Sequence, residues 1–169
     1  TIYYLDVTTT TLVVEDVSFL EKKTEEIKQE IIEEVLLPES TAEIMTFLET
    51  GDSLCEEDGK PIIRMYSASW DEYSNWAKEK FDIVVNEYIK LEKITAYHWQ
   101  LDTGDNSLTS EVELIPKSEV EIFKKYNPDL TVPTFIFGCK YFRVGNGYEA
   151  ENNLAAEAAE FRAVIHSLI

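Results

Sequence analysis

Apolar positions along the chain fall into two kinds of run, one nearly continuous and one spaced by three or four, and the two alternate. Pro61-Ile62-Ile63-Arg64-Met65-Tyr66 is almost unbroken and predicts a buried strand over 61–66. Small residues and Trp70 follow. Trp76, Phe81, Val84, Val85, Tyr88 and Ile89 then recur close to helical spacing, which predicts a helix over 71–91. Ile94-Thr95-Ala96-Tyr97-His98-Trp99-Gln100-Leu101 is rich in β-branched and aromatic residues and predicts a strand. A long loop leads to a helix near 117–126, then strands over 133–138 and 141–145. The final helix, near 151–168, presents Leu154, Ala158, Phe161, Val164, Ile165 and Leu168 along one face. This order predicts an α/β fold, a mixed sheet with helices on both faces.

The front of the chain adds to that pattern. Ser40-x-x-Glu43 has the form of a capping box and predicts a helix over 41–50, ended by Gly51. Residues 1–40 are read as an N-terminal extension, and 41–169 as one domain. Within the extension, Ile2-Tyr3-Tyr4-Leu5 and Thr11-Leu12-Val13-Val14 are short β-prone runs. Ser18-x-x-Glu21 opens a second predicted helix, which runs to about Leu36 and stops before Pro38. Its narrow stripe, Leu20, Ile27, Ile31 and Val35, either packs on its own domain or docks a partner, a second copy in a homodimer included.

Composition narrows the function classes. At 169 residues with 44% apolar content, the chain can bury one good core. Its formal charge of −18 opposes phosphate backbones, so nucleic acid is not an expected partner. The same charge repels anionic membranes, and no apolar run approaches the ~18 residues of a spanning helix, so direct membrane insertion is not expected. Solubility is the simplest role for the charge. Salt adaptation fits poorly, since 12 of the 15 basic residues are Lys. The chain opens on Thr1 rather than Met, the pattern of a processed or truncated chain.

Two segments carry a family resemblance. One is Tyr66-Ser67-Ala68-Ser69-Trp70-Asp71-Glu72-Tyr73-Ser74-Asn75-Trp76; the other is Leu130-Thr131-Val132-Pro133-Thr134-Phe135-Ile136-Phe137, followed by Gly138-Cys139-Lys140-Tyr141. With the order of elements around them, they resemble the thioredoxin-like superfamily over roughly residues 41–169. The resemblance implies that Asp71 and Ser74 stand at the two positions of the Cys-x-x-Cys motif, and Met65 where many members carry a buried acid. It implies that Pro133 is cis and that Val132 offers its backbone to an extended substrate. Trp70 and Tyr73, and Trp76 if it is not core, would add apolar contact there. It also implies that the strands after Cys55 and before Cys139 are antiparallel neighbours, so the two cysteines could meet. A bridge would contribute roughly 4–5 kcal/mol in the chain-entropy model and favour an extracytoplasmic or membrane-anchored setting; two free thiols would fit a reducing cytosol.

The chemistry of the turn follows from what is missing. Thiol–disulfide exchange needs a thiolate, and neither a carboxylate nor a hydroxyl replaces it. No catalytic residue is therefore assigned. The expected function is non-catalytic binding of a protein or extended polypeptide. The alternative is a thiol–disulfide oxidoreductase relative seen as a degenerate or engineered active-site variant. No cofactor or metal is expected. The Asp102–Glu113 stretch lacks the glycine and third ligand of a calcium loop, and His98 and His166 have no partners at zinc spacing. No Gly-x-Ser-x-Gly elbow surrounds Ser67, Ser69 or Ser74, and Gly145-Asn146-Gly147 is a turn signal.

Overall fold

The strand that carries the near-continuous apolar run, β3 (Lys60–Ser67), has partners on both sides. The computed structural model describes residues 22–23, 40–109 and 114–169, and the chain divides between Leu37 and Pro38 into two units. Lys22 and Lys23 are helical, inside the helix predicted from Ser18. The rest of that helix, with its apolar stripe, and the runs 2–5 and 11–14 lie outside the described residues.

The second unit begins with β1 (Leu48–Glu49), β2 (Glu56–Glu57) and β3. It continues with α1 (Glu72–Lys90), β4 (Thr95–Gln100), α2 (Lys117–Tyr126), β5 (Thr134–Phe137), β6 (Tyr141–Val144) and α3 (Leu154–His166). The strands run in the order β1–β6–β5–β3, with β4 on β3 as well and β2 forming a hairpin with the start of β3. β3 and β4 are parallel and joined through α1, as a parallel pair requires; the other pairings are antiparallel. The fold is mixed α/β.

Side-chain alternation assigns the helices to faces. On one face, Phe135 and Phe137 of β5 meet Phe81 of α1 and Phe161 of α3 at ring-centroid distances of 5.0–6.1 Å. On the other, Tyr66 stacks on Phe123 of α2 at 4.7 Å, and Phe142 lies 5.6 Å from Tyr126. α1 and α3 thus cover one face and α2 the other. Each face also buries charge, which is tolerated only with partners. Under α2, Glu119 receives Arg64 through Nε (2.7 Å) and Nη2 (3.0 Å), the Tyr66 hydroxyl (3.0 Å) and Trp99 Nε1 (3.1 Å). Under α3, Arg143 pairs with Glu157 and Glu160 while its guanidinium lies 4.6 Å from the Phe47 ring and 4.8 Å from Phe135. Burial pushes the Glu157 carboxyl up and the Arg143 guanidinium down, in both cases against their mutual attraction.

The helix expected over 41–50 is absent. Residues 41–45 have no regular structure, and Leu48–Glu49 pair with Phe142 and Tyr141 as β1. The backbone donors that a helix would use find other acceptors. Met45 N–H and Thr46 N–H both donate to Glu160 Oε1, and Thr50 N–H donates to Lys140 O at 2.8 Å. Phe47 meanwhile drops into the aromatic core, 4.9 Å from Phe137. A buried carboxylate and a sheet edge outweigh a local capping pattern worth about 1 kcal/mol.

The β5–β6 turn closes through Lys140 N–H to Phe137 O at 3.1 Å, with φ of 59° at Gly138 and 57° at Cys139. Two positive values suit a type I′ hairpin turn. Gly138 has no room for a side chain: a Cβ there would sit 2.7 Å from Leu54 Cδ1. Cys139, unlike glycine, carries strain at this φ and is held by its bond to Cys55, with Cα atoms 5.3 Å apart. Both cysteines of the chain are in this disulfide.

Candidate functional site

At the positions where the resemblance implies a thiol pair stands a well-capped helix start. Asp71 is extended (φ −84°, ψ 120°), and its Oδ2 accepts the Ser74 N–H at 2.6 Å. Its carbonyl accepts Asn75 N–H at 3.0 Å. A carboxylate fits the positive end of a helix dipole, and Glu72 in the first turn adds to it. Ser74 is fully buried, and its hydroxyl has no partner among the described residues. Met65 is also fully buried, an apolar residue within the core.

Facing this helix start is the loop before β5. The Val132–Pro133 peptide is cis. Asn127 fixes the loop: its Nδ2 donates to Thr131 O at 2.7 Å and to Thr134 Oγ1 at 2.8 Å, while Thr134 Oγ1 donates to Thr131 O at 2.8 Å. Between the two lies a groove of about 560 Å³. Trp70, Asp71 and Tyr73 form one wall and Leu130, Thr131 and Val132 the other, with Ala68, Leu101 and Asp102 completing it. Trp70 is 75% exposed and Tyr73 50%, a large aromatic surface left open. Val132 precedes the ladder, which begins at Thr134, and no backbone hydrogen bond to its N–H or C=O occurs among the described residues. Pro133 is buried beside it, and its carbonyl accepts Gly145 N–H at 2.8 Å.

The walls are braced from behind. Ser69 donates its hydroxyl and, at 3.0 Å, its N–H to the Asp102 carboxylate, which holds that carboxyl below its ordinary range. Asn146 Nδ2 donates to Tyr73 O at 2.9 Å and to Glu149 Oε2 at 2.9 Å. Trp76 does not line the groove. It is half-buried, and its Nε1 donates to Asn152 Oδ1 at 3.0 Å.

Sequence reasoning missed one constellation. His98 is fully buried, with Nε2 2.8 Å from Ser67 Oγ and Nδ1 2.7 Å from Asp82 Oδ1. The alternation that puts His98 on the α1 face of β4 was the available signal. Ser67 is 2% exposed and lines none of the clefts described here, so the arrangement ties β3, β4 and α1 together rather than presenting a nucleophile. A larger cleft of about 860 Å³ runs along α1 beside His98, walled mainly by charged and polar residues such as Lys78, Glu79 and Lys90; its Asp82 is paired with His98 and its Glu87 with Arg162. The smaller groove, with exposed aromatics and few polar groups, is the better binding surface. Cys55 and Cys139 lie at the opposite end of β3, where Ile62 N–H donates to Cys55 O at 3.0 Å.

Among the described residues, no group of three or more His, Cys, Asp or Glu side chains converges on a metal-sized site, and no helix is long and apolar enough to cross a membrane. Comparison with family models, curated proteins and solved structures returns no match to this chain.

Proposed function

We propose that this chain is a thioredoxin-like module that binds an extended segment of polypeptide without exchanging electrons with it. The observation that carries the reading is the Val132 backbone, unpartnered among the described residues and opposite exposed Trp70 and Tyr73. An extended segment laid there would find a donor and an acceptor for strand-like pairing and two aromatic faces for its side chains. The thioredoxin-like assignment is supported by the strand order, by the parallel β3–α1–β4 crossover and by the antiparallel β3–β5 pair. It is further supported by the Val132 loop, which lines one groove with the helix N-terminus at Asp71. Electron exchange is disfavoured because Asp71 and Ser74 hold the helix tip and the two cysteine sulfurs are bonded to each other elsewhere.

The test is capture of a reduced, carboxymethylated polypeptide by the chain and by a Trp70→Ala/Tyr73→Ala variant. Binding by the first and loss in the second is expected; equal capture would remove this surface from consideration. Turnover in a disulfide-reduction assay by the unaltered chain would instead revive the oxidoreductase alternative.

A further inference from the structure

Each of the three segments that wall the groove carries or adjoins acid, and none carries base. Residues 68–73 contribute Asp71 and Glu72, residues 101–105 contribute Asp102 and Asp105, and Asp129 adjoins Leu130. Glu72, Asp102 and Asp129 are exposed; Asp102 lines the groove, and Glu72 and Asp129 are chain neighbours of its lining residues Tyr73 and Leu130. Between them lie Trp70, Tyr73 and Leu130, all at least 46% exposed. An apolar trough with a one-signed rim concentrates field lines and favours an occupant of opposite sign. An exposed indole adds attraction for a cation over its face.

We propose that the groove selects cationic segments, an extended polypeptide whose Lys or Arg residues flank an apolar centre. The proposal rests on the groove being a polypeptide site, and adds which polypeptides it takes. The apolar centre would cover Trp70, Tyr73 and Leu130, while its backbone pairs with Val132. The flanking cations would then lie against Asp102 at one end and Glu72 or Asp129 at the other. An acidic segment of the same apolar content would be repelled.

The experiment measures fluorescence anisotropy of three labelled peptides with one apolar centre, flanked by Lys, Gln or Glu. At low salt the Lys peptide is expected to bind about tenfold tighter than the Gln peptide, and the Glu peptide weakest. Raising salt to about 0.5 M should close the gap, since rim charges are screened over a few ångström there. A Glu72→Gln/Asp102→Asn/Asp129→Asn variant should lose the Lys preference yet keep its affinity for the Gln peptide. A Glu49→Gln/Glu79→Gln/Glu92→Gln variant removes as much charge elsewhere and should keep the preference. Equal affinity for the three peptides would overturn the selectivity and leave the groove standing. An equal loss in both triple variants would assign the effect to bulk charge and overturn the local rim. Failure of all three peptides to bind, or binding untouched by Trp70→Ala, would overturn the groove itself.

Discussion

Asp71 caps the helix that Ser74 enters: the Ser74 N–H donates to Asp71 Oδ2 at 2.6 Å, while the Ser74 hydroxyl is buried with no partner among the described residues. The two residues therefore have opposite energetic signs. Asp71→Ala should destabilise the fold by about 1 kcal/mol, while Asp71→Ser or Asp71→Asn should cost only a few tenths. Urea unfolding followed by circular dichroism would measure the difference. A loss as large for Asn as for Ala would show that the cap is not the side chain's role.

Ser74→Ala should be neutral or stabilising. The hydroxyl was removed from water without gaining a partner among the described residues, and its deletion removes that penalty of about 1–3 kcal/mol against a small loss of packing. A shift of the urea midpoint downward by more than the equivalent of about 1 kcal/mol would mean that the hydroxyl is bonded in solution.

Reducing the Cys55–Cys139 bridge, which spans 84 residues, should cost roughly 4–5 kcal/mol in the chain-entropy model. Reduction should add two hydrogens to the mass, and native protein should resist thiol labelling at both positions. Peptide affinity should change little while the chain stays folded, because the bridge and the groove lie at opposite ends of an eight-residue strand.

Glu160→Ala should release the segment before β1. Met45 and Thr46 N–H lose their acceptor, and of its two carboxylate partners Arg143 keeps Glu157. A loss of about 3 kcal/mol is expected, with faster amide hydrogen exchange at Met45 and Thr46 before the rest of the fold.

Asp102 offers a pH test. The Ser69 hydroxyl and N–H favour its charged form, so its folded pKa lies below the ordinary 3.8. The stabilisation is present above 3.8 and is lost as pH falls through the lower folded value. Side-chain carboxyl shifts should show this, and Ser69→Ala should return the midpoint towards 3.8. An unchanged midpoint in that variant would break the assignment.

Much of the second unit was legible from periodicity. The helix near 117–126 occurs as Lys117–Tyr126, and the strand over 61–66 extends one residue at each end. Val132, distant in sequence from Trp70, Asp71 and Tyr73, lines one groove with them, and Cys55 does bond Cys139. The 41–50 helix failed because a capping box is a local signal and the acceptor that undid it, Glu160, is 114 residues from Thr46. Buried charge was the other blind spot. Arg143 lies in register with Phe135, and Glu157 and Glu160 share the helical face of Phe161 and Val164, so spacing alone placed them inward. A reading that counts only apolar residues passes over such positions, because partners rather than hydrophobicity make them buriable.

Because the two cysteines are joined to each other at the far end of β3, the folded molecule offers a thiol-directed reagent no free thiol. A single cysteine installed at the rim would be a unique chemical handle, and a dye or crosslinker fixed there would report on the trough alone.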